Sequence, residues 1–220
     1  MGKLIVLDGL DGSGKATHTK KLYDYLVECG ANVVKVSFPD YESPASAPVR
    51  MYLGGVFGAH ADDVNAYAAS TFYAVDRYAS YKTNWGKLYN NGAIILADRY
   101  VSSNAIHQMS KLKKTEWDGY LNWLYDFEFE KLKLPRPDAV IYLDMLPSIS
   151  QKLIEKRYEG DITKKDIHEK DVDFLQHSRI SALYAADKLG WKVVRLYDNK
   201  GPLSKQENFE QILQVVKQLI

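Results

Sequence analysis

The sequence predicts an α/β fold in which five parallel strands form a sheet between layers of helices. Short apolar runs recur along the chain, and each is followed by a stretch whose apolar residues have helical spacing. Strands that alternate with helices form parallel sheets through right-handed crossovers. The five strands are expected at 4–7, 32–38, 93–98, 138–144 and 191–196.

The first strand leads directly into the run G-L-D-G-S-G-K at 9–15, which fits the pattern G-x-x-x-x-G-K. Glycines let the backbone approach an anion closely, and the free N–H groups of the helix start point at it. The lysine adds a charge for the outer phosphates. The sequence therefore predicts a phosphate-binding loop and a P-loop NTPase fold, with ATP phosphates bound by Asp11, Gly12, Ser13, Gly14, Lys15, Ala16 and Thr17.

The position after Lys15 holds Ala16, where this pattern has a Ser or Thr that binds magnesium. Either Thr17 acts through a water molecule, or the phosphates of the nucleotide hold most of the ion, because Mg²⁺ retains several waters. Asp98, at the end of the third strand, is the other candidate ligand. A Mg²⁺ site is thus predicted at Thr17 and Asp98.

The remaining elements follow from apolar spacing and from helix-stopping residues. Gly30 ends the helix that follows the loop, and Gly92 ends a long helix rich in alanine and tyrosine. The charged stretch at about 157–170 is expected to be a short mobile lid on a single domain that spans 1–220. Helices after the first are expected at 47–53, 63–89, 105–111, 116–131, 147–157 and 171–188, with a last one from Ser204.

The composition excludes several classes of protein. The chain has 220 residues with 29 Lys plus Arg and 28 Asp plus Glu, a net charge of +1, which is not the basic excess of a nucleic-acid-binding protein. The single cysteine, Cys29, cannot form an internal disulfide. We find no signal peptide and no apolar stretch of membrane-spanning length. A soluble cytoplasmic protein is expected, with no nucleic-acid or membrane partner.

The ends of the strands carry the chemically active residues. Ligands of parallel sheets bind at the carboxyl ends of the strands, which places 8–17, 38–41 and 98–104 around one cleft. There the Arg99 guanidinium is suited to hold a phosphate with two hydrogen bonds. The alternative is a local ion pair with Asp98 that fixes the start of the following helix.

Tyr73 and Arg77 lie four residues apart on the long helix and therefore share a face. An aromatic ring one turn from a guanidinium can stack on a base while the guanidinium bonds to its edge. A surface Tyr–Arg pair is the alternative. Likewise, Asn104 alone would be read as a helix cap.

With these pieces together, the chain resembles the thymidylate kinases, a branch of the P-loop nucleoside monophosphate kinases, over nearly its whole length. The resemblance rests on L-D-G-L-D-G-S-G-K, F-P-D-Y, Y-A-V-D-R and D-R-Y-V-S-S-N-A, with a charged stretch near Arg157. It implies transfer of a phosphoryl group from ATP to dTMP, which gives ADP and dTDP. It also implies a Mg²⁺ requirement and a homodimer.

The resemblance also implies roles for individual residues. Lys15 and the loop amides would hold the ATP phosphates, Asp11 would approach the sugar 3′-hydroxyl, and Arg99 would hold the acceptor phosphate. Tyr73 would stack on thymine and Arg77 would bond to a base carbonyl. The other residues placed around the acceptor nucleotide are Phe38, Pro39, Tyr41, Asn104 and His107. The residues expected to be catalytic are Lys15, Asp98, Arg99, Arg157, Lys164 and Lys165, the last three in the lid over ATP. The cations among them would spread the charge on the transferred phosphoryl group, and Asp98 would be a carboxylate on the magnesium side.

Two other functions stay open from the sequence. One is a kinase for a different nucleotide, deoxynucleotide or deoxynucleoside. The other is a nucleotide-binding regulator that has lost catalysis, suggested by Ala16 and by Lys164 and Lys165, which stand where the family usually has arginines.

Overall fold

The computed structural model describes residues 1–157 and 172–220, with side chains for 1–155 and 173–220. Its main sheet has five strands, all parallel, in the order β2–β3–β1–β4–β5. This confirms the predicted five-stranded sheet. The strands are β1 (Lys3–Gly9), β2 (Val33–Ser37), β3 (Ile94–Asp98), β4 (Ala139–Asp144) and β5 (Lys192–Arg195).

Strand β1 lies at the centre and is buried on both faces. Its side chains alternate between two apolar clusters, as the two-residue period of a strand requires. Leu4 and Val6 pack into the cluster that contains Trp85, and Ile5 and Leu7 pack into the cluster that contains Leu22. Each large apolar side chain buried in this way stabilises the fold by about 1.5–3 kcal/mol.

The helices form a layer on each face of the sheet, which completes the three-layer arrangement. Helices α1 and α9 pack on one face, and α3–α6 with α8 pack on the other. The helices are α1 (Lys15–Glu28), α2 (Ala47–Leu53), α3 (Ala66–Ser80), α4 (Gly86–Asn90), α5 (Ser102–His107), α6 (Trp117–Tyr125), α7 (Pro147–Arg157), α8 (Val172–Leu189) and α9 (Lys205–Lys217).

The long helix predicted at 63–89 is divided. It begins at Ala66 because Asn65 caps it, with the side-chain oxygen accepting a hydrogen bond from the amide of Ala68 at 2.9 Å. A π-helical turn (Tyr81–Trp85) then separates α3 from α4. The helix predicted at 116–131 also ends in a π-helical turn (Asp126–Lys131). Such turns change which side chains face the core, and apolar spacing does not reveal them.

Two smaller differences concern the start of α5 and a hairpin after the sheet. Helix α5 starts at Ser102, three residues before the predicted start at 105. A two-stranded hairpin, β6 (Tyr197–Asp198) with β7 (Gly201–Pro202), follows the sheet and is too short to leave a sequence pattern. The predicted lid, apart from the end of α7, lies outside the described residues. None of the helices that the structure describes has the length and apolar character needed to cross a bilayer.

Candidate active site

The loop between β1 and α1 has the backbone that its glycines permit. Gly12 has φ 78° and Gly14 has φ 83°, both in the left-handed region. A Cβ atom on Gly12 would lie 2.7 Å from the carbonyl oxygen of Ser150, so a side chain there would also collide with α7. Gly14 directly precedes Lys15, the first residue of α1. The loop therefore brings the start of a helix, with its free N–H groups, to the carboxyl edge of the sheet.

The Lys15 side chain is buried and folded back over the loop. Its Nζ donates to the carbonyl oxygen of Leu10 at 2.8 Å and lies 3.6 Å from Oδ1 of Asp11. Burial lowers the pKa of Lys15, and the nearby Arg99 lowers it further. Lys15 is thus a poorly hydrated cation at the centre of the loop, which an incoming phosphate would stabilise.

Arg99 reaches the same carboxylate from the neighbouring strand. It follows β3 with a backbone φ of 69°, a conformation unusual for a residue other than glycine and often found at functional sites. Its Nη2 donates to Oδ1 of Asp11, and its Nη1 lies 3.1 Å from Nε2 of His107. A guanidinium can only donate, so in this contact Nε2 of His107 is the accepting atom.

Acidic residues hold Arg99 in its charged form. Burial alone would lower the pKa of Arg99, but the carboxylates of Asp11, Asp8 and Asp98 raise it above its ordinary value. Burial raises the pKa of Asp98, while Lys15 and Arg99 oppose that shift. Two cations, Lys15 and Arg99, and the carboxylates of Asp8, Asp11 and Asp98 therefore lie close together beside the ends of β1 and β3, and the carboxylates stabilise the charge of both cations.

Asp8 connects this edge of the sheet to α5. It is fully buried, and it accepts hydrogen bonds from the hydroxyl of Ser102 at 2.6 Å and from that of Ser103 at 2.9 Å. No function for Asp8, Ser102 or Ser103 was predicted from the sequence. The signal was the pair of serines three and four residues beyond Arg99, because a buried carboxylate requires donors close by. These two hydrogen bonds hold α5, which carries Asn104 and His107, against the phosphate loop.

One cavity of about 550 Å³ joins the loop to the ends of β2 and β3. The described residues predicted to bind substrate, ATP or metal line this cavity, except Ser13, which is buried. Unpredicted lining residues are Ser37, Leu53, Tyr100, Ser103 and Gln108. The predicted residues that line it are Asp11, Gly12, Gly14, Lys15, Ala16, Thr17, Phe38, Pro39, Tyr41, Tyr73, Arg77, Asp98, Arg99, Asn104 and His107.

The side of the cavity away from the loop is aromatic and polar. The ring of Tyr73 meets that of Tyr52 edge-on, with ring centroids 6.5 Å apart. Arg77 lines the cavity but is 1% exposed, and it forms a two-bonded ion pair with the buried Glu128. The alternative prediction, a surface pair of Tyr73 and Arg77, is therefore wrong, because Arg77 is buried. Burial raises the pKa of Glu128, and Arg77 opposes this shift.

The residues present suit a magnesium ion that keeps most of its waters. Thr17 and Asp98 both line the cavity and offer a hydroxyl and a carboxylate oxygen, the donor type that Mg²⁺ prefers. The described residues contain no group of three or more His, Cys, Asp or Glu that could hold a metal by themselves. An ion at this edge would thus depend on nucleotide phosphates and water for its other ligands.

The lid residues cannot be placed in the same way. Arg157 is the last residue of α7, and the position of its side chain is not described. Lys164 and Lys165 lie outside the described residues. The predicted roles of these three residues therefore stay predictions.

Comparison with known proteins gives consistent matches. The family model described as thymidylate kinase matches residues 7–206. The thymidylate kinase of Mycobacterium tuberculosis is 30% identical over 184 residues, which are 83% of this chain and 84% of that protein. The probable thymidylate kinase of Staphylothermus marinus is 32% identical over 187 residues, 85% of this chain and 83% of that protein.

A solved structure extends the likeness to the fold. The thymidylate kinase of Candida albicans superposes with a TM-score of 0.73 at 20% sequence identity, covering 99% of this chain and 92% of that one. At this identity the likeness concerns the fold alone. The fold is therefore the P-loop NTPase fold that the glycine-rich loop predicts.

Proposed function

The chain belongs to the thymidylate kinase family, and on that premise we propose how its residues transfer the terminal phosphoryl group of ATP to dTMP. One observation carries the proposal: Lys15 and Arg99 approach the same carboxylate, Asp11, inside a single cavity. The enzyme makes dTDP and ADP from dTMP and ATP. The cavity has a phosphate loop on one side and an aromatic and polar wall on the other, so the two nucleotides meet end to end.

The donor side uses the loop and the start of α1. The amides of 12–17 bind the β- and γ-phosphates of ATP, and Lys15 leaves the carbonyl of Leu10 to pair with them. When bound, Mg²⁺ neutralises phosphate charge, and Thr17 and Asp98 would hold it partly through water. Arg157, Lys164 and Lys165 would add positive charge for the γ-phosphoryl group.

The acceptor side is organised around Arg99. Its guanidinium binds the phosphate of dTMP and orients one of the phosphate oxygens toward the γ-phosphorus of ATP. That oxygen forms the new P–O bond while the bond from the γ-phosphorus to the β,γ-bridging oxygen breaks, and the electron pair stays on ADP. Lys15 and Arg99 stabilise the charge on the group in transit, because such a transition state needs positioning and charge neutralisation rather than covalent catalysis.

Base and sugar are held by the remaining lining residues. Tyr73 stacks on thymine, Arg77 donates to a base carbonyl and Asn104 contacts the base edge. Asp11 binds the 3′-hydroxyl and His107 lies near the sugar. Phe38, Pro39 and Tyr41 flank the nucleotide. A homodimer and a cytoplasmic location belong to the same proposal.

The test is release of ADP from ATP across a panel of acceptors, with and without Mg²⁺. We expect ADP release with dTMP, and a rate of release at least ~100-fold lower with thymidine. Removal of the metal with EDTA should lower the rate with dTMP at least ~100-fold. Faster release with a nucleoside or with another monophosphate would identify a different kinase. Binding of ATP without transfer to any acceptor would identify a regulator.

A further inference from the structure

A buried polar cluster lies behind the acceptor side of the cavity, formed by Glu128, Arg77 and Asn104. We call it the Glu128 cluster. Its members are 0%, 1% and 1% exposed, respectively, and they come from three separate elements: the π-helical turn after α6, helix α3 and helix α5. Arg77 and Asn104 line the cavity, whereas Glu128 does not. Glu128 therefore acts on a ligand only through the other two.

The Glu128 carboxylate determines how both neighbours are oriented. Nε of Arg77 donates to Oε2 at 2.8 Å, and Nη2 of Arg77 donates to Oε1. The amide nitrogen of Asn104 donates to Oε1 at 3.3 Å and to the carbonyl oxygen of Ser70 at 3.4 Å. An ionised carboxylate can only accept, so the NH₂ group of Asn104, rather than its oxygen, must face it.

This arrangement gives the cavity a defined hydrogen-bonding pattern. Both hydrogens of the Asn104 amide are directed at protein oxygens, and the amide oxygen remains for a ligand. The guanidinium of Arg77 presents only donors. The cavity wall thus offers a donor beside an acceptor. Thymine complements this with the O4 acceptor and the N3–H donor, whereas cytosine has the opposite pattern, an amino donor at N4 and an acceptor at N3.

We propose that Glu128 is a positioning residue that selects thymine over cytosine, because it holds the donors of Arg77 and the amide oxygen of Asn104 toward the base edge. The inference rests on the proposed function, since it concerns the acceptor base of the same reaction. A site built to hydrogen-bond one pattern rejects the opposite one strongly, because mismatched buried groups stay unpaired.

The test uses Glu128→Gln, which keeps the shape and removes the charge. A glutamine amide can turn its NH₂ group toward Asn104, and Asn104 can then turn its own NH₂ group toward the base. We would measure dissociation constants by calorimetry, and kcat and KM with ATP, for dTMP and dCMP. In the wild-type protein, kcat/KM should be at least ~100-fold higher for dTMP than for dCMP. In the variant, this dTMP to dCMP ratio should be at least ~10-fold smaller, mainly because the KM values change.

Glu130→Gln is the matched control. Glu130 lies in the same π-helical turn, is half exposed and pairs with Arg136 at the surface, so its loss should leave the dTMP to dCMP ratio unchanged. If Glu128→Gln weakens dTMP and dCMP equally, Glu128 has only a structural role and the proposal is wrong.

The wild-type binding data test the proposal even if the variant does not fold. Equal dissociation constants for dTMP and dCMP would overturn it, because the Asn104 orientation that Glu128 imposes would then have no effect on the base. Binding selectivity that narrows in Glu128→Gln, without transfer to either nucleotide, would instead count against the proposed kinase reaction and leave the role of Glu128 supported.

Discussion

Replacing Arg99 with alanine should lower kcat/KM for dTMP at least ~100-fold, which corresponds to about 2.7 kcal/mol of transition-state stabilisation. Arg99 is largely buried, it faces the phosphate loop, and carboxylates keep it charged. In the proposed mechanism, its removal takes away the guanidinium that binds the acceptor phosphate. Among the described residues, Lys15 then remains to stabilise the charge on the transferred group. Steady-state rates with ATP and dTMP measure the loss.

Two further variants make this result specific. Arg99→Lys keeps the charge but cannot donate two parallel hydrogen bonds to one phosphate. We expect its rate to lie between those of the wild-type and alanine proteins. Arg136→Ala removes an arginine that is half exposed and pairs with Glu130 at the surface, so its rate should be unchanged. Unaltered kcat/KM in a folded Arg99→Ala protein would remove Arg99 from the mechanism.

Replacing Lys15 with alanine should lower kcat by about 100- to 1,000-fold, because in the proposed mechanism the lysine stabilises the charge on the phosphoryl group in transit. The pH profile gives a second readout. The pKa of Lys15 is lowered by burial and by Arg99, so the active cation is lost at a lower pH than an ordinary lysine would lose its charge. The kcat/KM of the wild-type enzyme should therefore fall on the alkaline side of its pH profile at a pH below the ordinary pKa of a lysine side chain.

Lys20→Ala is the control for this substitution. Lys20 lies on the same helix, is exposed and pairs with Asp24 one turn away, at 2.6 Å. Its loss should change neither kcat nor the pH profile. If Lys20→Ala and Lys15→Ala reduce kcat to the same extent, the effect comes from α1 as a whole and not from the loop lysine.

The parts of the site that follow from local sequence could be predicted. The strand, the glycine spacing and Lys15 are contiguous, so their pattern determines both the backbone and the position of the charge. The parallel sheet then brings 98–104 beside the loop, because β3 pairs with β1 in register from Lys3 opposite Ile94 to Leu7 opposite Asp98. The cavity is therefore lined by nearly all the residues that the strand ends and the family resemblance indicated.

Contacts between distant segments could not be predicted in this way. Glu128 lies 51 residues from Arg77, in a stretch whose spacing predicts an ordinary helix, and only the π-helical turn directs it inward. Asp8 finds its donors 94 and 95 residues away. Such pairs satisfy buried charges across the fold, and a single sequence indicates the need for a partner but not which residue supplies it.

In the proposed mechanism the phosphates of ATP and dTMP meet between Lys15 and Arg99, and a crystal structure with ADP, dTMP and Mg²⁺ would show whether they do. We expect the β-phosphate of ADP on the loop amides and Lys15, and the dTMP phosphate within hydrogen-bond distance of the Arg99 guanidinium, with space for one phosphoryl group between them. A dTMP phosphate bound elsewhere, with Arg99 still paired to Asp11, would contradict this mechanism.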